Sequence, residues 1–368
     1  MRVGRSEVLV ACASDWTSPA RLPRVLARAG ARVIALSPPG HAVTVTRYVD
    51  RVVPAPAALD AYVDALRDHL RAHRYAWVIV ADDPLLVALR ARAAGGEAWV
   101  RELLPIASDH PWAAIVASKT AFAELGGAAG LPVPPSRTCA SLEDARRAMD
   151  ALGAPIMLKQ ATGFAGLGVR LVTSAGELAA AWAEVGAGQV VAQRFVDGPV
   201  GNTIFLMQRG RPICWMSAFK ARTFQGRFGP SSARRFMVHG DVAPLLRRIG
   251  ALTGYHGFGA IDWILGDDDR LHTIELNARP VPTIHMGPRA GVDFARAVRE
   301  MLGGGATVQV PPPPPARVHA MFPEDIYRAA TQGRFDRASW DTRSDVPWSD
   351  PALLVYHLRA FYRALAHS

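Results

Sequence analysis

Apolar and polar positions alternate with two different periods over the first 110 residues. EVLVACA, ARVIALSPP and YAWVIVADDP are short, nearly continuous apolar runs, a pattern that predicts buried strands. Between them, PARLPRVLARAG reads as a helix closed by Gly30. LDAYVDALRDHLRAHR places Leu59, Tyr62, Val63, Leu66 and Leu70 on one helical face. Strand–helix–strand alternation predicts a parallel sheet. The first strand-to-helix turn, ASDWTSPA, lacks GxGxxG, so no dinucleotide fingerprint is present.

The pattern changes after residue 110. SKTAFAELGGAAG predicts a helix ended by glycines, and LPVPPSRTCAS a proline-punctuated extended segment. SLEDARRAMDALG predicts a helix with Ser141 as N-cap and Gly153 at its end. APIMLKQ and VRLVTS are strands joined by a glycine-rich turn. From 191 to 305, VVAQRFVDG, TIFLMQ, ICWMSAF, FGAIDWILG and LHTIELNA predict strands with short connections, hence antiparallel sheet, flanked by helices near 241–254 and 292–302. Gly303–Gly305 and Pro311–Pro315 mark a linker before a partly aromatic C-terminal segment, which is expected to dock on the body. The expected units are 1–110 (α/β), 111–190 (a small α+β unit), 191–305 (a larger one) and 306–368 (linker and helical extension).

Composition narrows the function classes. The 368 residues are 50% hydrophobic and 20% charged, which excludes a disordered chain. No run of 18 apolar residues exists, so no membrane span is expected. The N-terminal MRVGRSEVLVACA is too short in its apolar part for a signal peptide and fits a first strand better. Cys12, Cys139 and Cys214 form no CxxC or disulfide framework, so a reducing cytoplasm is the expected setting. The net charge is +10, but the arginines are scattered with doublets at Arg234–Arg235 and Arg247–Arg248 as the densest clusters. These are expected to be solvated helix faces, and no nucleic-acid stripe is indicated. Only three of the 42 basic residues are lysines: Lys119, Lys159 and Lys220. Where arginine is so favoured, a surviving lysine marks a place for a compact ammonium.

The strongest chemical signal is FGAIDWILGDDDRLHTIELNARP, residues 258–280, which reads as a β-hairpin. With a four-residue loop at 266–269, Asp262 stands opposite Thr273 and diagonal to Glu275. Thr273, Glu275 and Asn277 then share a face with Asp262, and a one-residue register change would undo this. Hard oxygen donors on a rigid sheet suit Mg2+, with nucleotide phosphates completing the shell. In APIMLKQATGFAGLGVRLV an apolar strand delivers Lys159, and Gly163, Gly166 and Gly168 form a turn whose backbone can approach phosphate oxygens. No Walker GK[ST] is present. Asp82 and Asp83 end a strand of the first unit, placed either to face a cleft or to cap a helix.

The order Lys119, Lys159, glycine turn, QRFVDG and D…ExN resembles the ATP-grasp superfamily, carboxylate–amine ligase-like, of the carbamoyl-phosphate-synthase and D-alanine–D-alanine-ligase type. The resemblance covers roughly residues 1–305. It implies a fold with an N-terminal parallel-sheet α/β (pre-ATP-grasp) domain followed by a two-subdomain α+β ATP-grasp fold. It implies ATP as cofactor, with Lys119 and Lys159 on its phosphates, Gly163, Gly166 and Gly168 closing over them, and Gln193, Arg194 and Val196 at the adenine. It implies Mg2+, or alternatively Mn2+, on Asp262, Glu275 and Asn277. Arg279, Arg222 and Lys220 are the catalytic candidates on the acceptor side, with His285 as a base or loop-orienting residue.

The sequence departs from the pattern at QRF, which lacks an acidic residue, and at GPVGNT, which leaves the ribose to Asp197 or Asn202. Ala260 replaces an expected arginine. The implied activity is ATP-dependent, Mg-dependent ligation: a small-molecule carboxylate is activated as an acyl phosphate and joined to an amine. Alternatives are a non-amine acceptor or a catalytically decayed nucleotide-binding regulator. Relatives of this kind are often dimers, so a homodimer is an expectation, with neither nucleic acid nor membrane as partner.

Overall fold

The computed structural model describes residues 5–116, 118–160, 168–186, 188–224, 229–337, 340 and 345–366. The chain opens with β1 (Glu7–Ala11), α1 (Thr17–Arg28), β2 (Arg32–Ser37), α2 (Ala42–Val45), β3 (Arg51–Pro54), α3 (Leu59–Ala72), β4 (Trp77–Val80) and α4 (Asp83–Ala94). The strands form a parallel sheet in the order β3-β2-β1-β4. Val8, Leu9 and Val10 are all fully buried, because a parallel strand covered on both faces has no solvent side. Gly30 follows α1 in the left-handed region, which lets the chain turn directly into β2. The apolar pattern does not reveal β3, an edge strand whose residues are mostly exposed.

The second unit is α5 (Lys119–Ala128), β5 (Ser136–Cys139), α6 (Leu142–Leu152), β6 (Ile156–Gln160), β7 (Val169–Val172), α7 (Ala175–Val185) and β8 (Val190–Arg194). Its strands form an antiparallel sheet in the order β5-β8-β6-β7. Ser141 and Asp144 form a capping box at the start of α6, and Gly153 ends it. Helices α6 and α7 cover one face of the sheet, burying Ile156, Leu158, Val190 and Ala192. Strand alternation therefore sends Met157, Lys159 and Gln193 to the opposite face. The boundary expected at 190/191 is corrected here. It falls inside β8, which pairs with β5 and β6 and belongs to the small sheet.

The remaining strands are β9 (Val200–Gln208), β10 (Arg211–Thr223) and β11 (Ser231–Met237), then, after α8 (Val242–Thr253), β12 (Gly257–Leu265) and β13 (Leu271–Asn277). Helix α9 (Phe294–Leu302) precedes β14 (Val318–Ala320), and α10 (Glu324–Gln332) and α11 (Pro351–Ala366) complete the chain. The large antiparallel sheet has the order β13-β12-β9-β10-β11-β14. Leu245, Leu246 and Ile249 of α8 pack with Phe205, Met207 and Trp215. The other face packs on α9 and on the first sheet through Ile204, Leu206, Met216 and Phe258.

The C-terminal extension supplies an edge strand, β14, to the large sheet and docks on the first domain. Arg21 donates to the carbonyls of Phe322 (2.9 Å) and Asp345 (3.2 Å), and the Asp350 carboxylate accepts from Thr46. Among the described residues no helix is long and apolar enough to cross a membrane, and the three cysteines are free and buried.

Candidate functional site

A cleft lies between the small sheet and the β12–β13 end of the large sheet. Its cations come from two helices' worth of sequence apart. Lys119 opens α5, whose N-cap Ser118 accepts from the Ala121 amide at 3.1 Å. Lys159 sits near the end of β6, where its ammonium donates to Gln193 Oε1 at 2.6 Å, and Gln193 donates in turn to Ser136 Oγ at 2.9 Å. Burial lowers the Lys159 pKa to about 8; the Glu275 carboxylate opposes that shift and Lys119 adds to it. An anion entering between the two lysines would relieve their mutual repulsion.

The acidic wall is the β12–β13 hairpin, and its register differs from the expected one in two ways. Leu265 pairs with Leu271, so the loop is 266–270, one residue longer than expected. A bulge then places Ile274 between the pairs Trp263–Thr273 and Asp262–Glu275. Two single-residue shifts sum to an even number, so Asp262 and Glu275 end on one face as direct cross-strand neighbours. Thr273 is expelled to the other face, where its hydroxyl donates to the Pro132 carbonyl at 3.2 Å. Asn277 donates to Asp262 Oδ1 at 3.5 Å, and Lys119 stands 3.5 Å from Glu275. Burial and the Asp262 charge raise the Glu275 pKa, with Lys119 opposing. Two carboxylates with an amide beside them are the kind of hard donor set that a divalent cation neutralises.

Beside the cations and carboxylates the cleft is apolar. Met157, Val169 and Val196 face Ile264 and Ile274, a slot suited to a flat ring. Ile274 enters it because of the bulge. Gln193, Arg194 and Val196 all line the cleft, as does Lys220. Gly168 begins the approach to β7 in the left-handed region, where a Cβ would collide with Gln160. Gly163 and Gly166 lie outside the described residues.

At the far end stands Arg279, 5% exposed. Its Nη2 donates to Asp83 Oδ2 at 2.6 Å and to Asn277 Oδ1 at 3.5 Å, and its guanidinium lies 4.3 Å from the Trp16 ring centroid. The adjacent Asp82 plays the capping role. It accepts from the Leu85 amide (2.9 Å) and from Ala13 (2.6 Å), fastening the loop after β1 to the end of β4. One carboxylate thus caps a helix while its neighbour holds the cleft-lining Arg279.

Three expectations are corrected. Arg222 is not among the residues lining the cleft; its guanidinium grips Asp325 (3.2 Å) and Asp336 (2.6 Å), because a bulge between Lys220 and Thr223 turns the strand end toward the extension. Asn202 is no ribose ligand in waiting. It is buried beside Asp262 as its cross-strand partner and accepts from Arg234. The doublet Arg234–Arg235 lies on strand β11, not on a helix face. Alternation buries Arg234 and leaves Arg235 exposed over the Phe219 ring. Arg247–Arg248 is the solvated helix face expected. His285 pairs with Asp345 of the extension and so fastens a loop. Trp16 and Arg234 were the residues sequence reasoning missed. The break in alternation at SSARRFM, with one arginine on an inward position, was the available signal for Arg234.

Residues 118–200 match the family described as the carbamoyl-phosphate synthase L chain ATP-binding domain. The D-alanine–D-alanine ligase of Methylococcus capsulatus is 28% identical over 189 residues, 47% of this chain and 61% of that protein. The chain therefore spans about three fifths of that relative's length. Among solved structures, N5-carboxyaminoimidazole synthetase from Staphylococcus aureus superposes with a TM-score of 0.64 at 11% identity, over 83% of this chain and 79% of that one. The L-amino acid ligase of Bacillus licheniformis gives 0.60 at 19% identity, over 81% and 74%. The chain has the ATP-grasp fold of these structural neighbours, and residues 118–200 are similar to its ATP-binding domain family. The curated relatives that the chain resembles in sequence include D-alanine–D-alanine ligases.

Proposed function

We propose that this chain is an ATP-dependent ligase that activates a carboxylate as an acyl phosphate and joins it to an amine. The observation that carries this reading is convergence. All three of the chain's lysines, the Asp262–Glu275–Asn277 row and Arg279 come from five separate segments and line one cleft. ATP fits with its base in the apolar slot against Ile264 and Ile274 and its phosphates between Lys119 and Lys159. Asp262, Glu275 and Asn277 would hold Mg2+, which when bound neutralises phosphate oxygens as charge develops.

The chain's own residues account for the rest. Lys119 and Lys159 stabilise charge on the transferring phosphoryl group. A substrate carboxylate oxygen forms the new O–P bond as the bond from the γ-phosphorus to ADP breaks. Arg279, pre-positioned by Asp83 and Trp16, holds that carboxylate near the phosphoryl group, and Lys220 lines the same end. An amine nitrogen then attacks the acyl carbon, the C–N bond forms, the C–O bond breaks and phosphate leaves with the shared oxygen. The amine proton goes to solvent or to the departing phosphate. No serine or cysteine nucleophile is required.

The test is Mg2+-dependent ADP release from ATP with pooled carboxylic acids and amines, with mass spectrometry for a condensation product and Lys159→Ala as control. ADP release needing both pools, and lost in the variant, is expected. ATP binding without release in any pool would favour a decayed nucleotide binder, and release with acid alone would favour a non-amine acceptor.

A further inference from the structure

Ser136 stands on β5, at the edge of the small sheet, as the cross-strand partner of Gln193. On its other side Gln193 is paired with Met157 of β6, and Lys159 lies two residues further along that strand. Strand alternation therefore gives Ser136, Gln193 and Lys159 one face, the face opposite α6 and α7.

These three side chains form one directed chain of hydrogen bonds. Ser136 Oγ donates to the Pro134 carbonyl at 2.6 Å. A hydroxyl has one proton, so toward its other partner Ser136 can only accept. That partner is the Gln193 amide, whose Nε2 donates to Ser136 Oγ at 2.9 Å. Gln193 Oε1 is thereby turned to Lys159, which donates to it at 2.6 Å. The reversed amide would set Nε2 against an ammonium, and Oε1 against a hydroxyl whose proton is spent. A carbonyl that can only accept thus fixes the direction of every bond up to the ammonium.

Holding matters at this lysine. Its flexible stem would otherwise have to be ordered by the ligand at a cost in affinity. Glu275 and Asp262 both attract it electrostatically, yet among the described residues no ion pair joins it to either, whereas Lys119 does pair with Glu275. Gln193 is 3% exposed and neutral, so it holds the ammonium without cancelling its charge.

We infer that Ser136 is a positioning residue for the nucleotide phosphates: through the Gln193 amide it keeps the Lys159 ammonium in place and unpaired with Asp262 or Glu275 before any nucleotide enters. This rests on the nucleotide part of the reading above and is independent of the acid and the amine. It also gives the Gln193 side chain a task other than reading the base.

The test uses the whole chain with Mg2+ and measures equilibrium binding of ATP, ADP and adenosine by titration calorimetry. Ser136→Ala removes the acceptor that orients the amide. Affinity for ATP and ADP is expected to fall about three- to tenfold, the worth of one neutral hydrogen bond, with adenosine unchanged because it carries no phosphate. Ser136→Thr keeps the hydroxyl and is expected to bind ATP within about twofold of wild type. Gln193→Met keeps the length of the side chain and removes both bonds. ATP is expected to weaken about tenfold or more, with adenosine again unchanged.

Unchanged ATP affinity in Ser136→Ala overturns the positioning role. So does an equal loss of adenosine and ATP, which is what a displaced cleft wall would give. Should Ser136→Ala melt early, Gln193→Met carries the same comparison. ATP binding that depends on Ser136, without ADP release in any pool of acids and amines, keeps the role and overturns the ligase reading. Failure of the wild-type chain to bind ATP overturns the nucleotide reading and this role with it.

Discussion

The two ends of the cleft are assembled differently. At the end that holds the lysines and the hairpin carboxylates, the side chains come from neighbouring strands of one sheet or one hairpin. Lys159 and Gln193 lie on neighbouring strands 34 residues apart, and Asp262 and Asn277 are 15 apart on one hairpin. At the other end, Arg279 is held by Asp83 across 196 residues, and away from the cleft Arg21 reaches Asp345 across 324. The first side is a property of strands and turns, the second of how three distant segments dock. Chemistry built on one sheet is rigid as soon as that sheet forms. Contacts built between segments are adjustable, because the docking segment can change without disturbing the strands of the cleft.

That contrast can be broken most strongly at Asp345, which burial disfavours but His285 and Arg21 hold far below the usual carboxylate range. Asp345→Asn leaves a buried cation uncompensated and is expected to cost about 3–5 kcal/mol of stability. ATP affinity below the melting transition should stay unchanged. Denaturant unfolding and nucleotide titration measure both, and loss of ATP affinity in the folded variant would show that the two ends are coupled.

The converse is Lys159→Ala, expected to lower ATP turnover about 10²–10³-fold, the usual cost of losing one preorganised charge-stabilising donor. Its thermal melt should stay near wild type, and turnover within a few-fold of wild type would remove Lys159 from the phosphate site. Asp83→Asn sharpens the distinction. It frees Arg279 to wander and should raise the acid requirement about tenfold, the worth of one charge-assisted hydrogen bond, without moving the ATP requirement. Equal effects on both would place Arg279 on the nucleotide.

The smallest effect at neutral pH is expected from His357. Burial lowers its pKa from 6.5 to about 4. Below 6.5 the unfolded chain takes up a proton that the folded chain refuses, so stability is full above 6.5 and declines as pH falls toward 4. His357→Gln should flatten that part of the stability profile, followed by denaturant midpoints across the range. An unchanged slope would exclude the histidine as its source.

Much of this was legible in the chain itself. Apolar runs gave β1, β2 and β4, and Ser141 and Gly153 bounded α6, because periodicity and capping are local properties. The faces of Asp262, Glu275 and Asn277 came out correctly although the loop length and the bulge did not. The two errors cancelled in parity, which is the quantity that strand alternation protects. Local reading failed at Arg222, where neither the bulge nor the partner Asp325 is encoded nearby, and at Arg234, whose inward direction depends on β11 pairing with β10 and β14.

Local pattern was enough for most of the elements and for the sidedness of the hairpin, since each depends on residues a few positions apart. Docking of distant segments is what makes Asp82 a cap while Asp83 reaches Arg279, and what lets His285 fasten the extension. Those outcomes depend on which buried charges meet across hundreds of residues, and desolvation makes each such meeting all or nothing.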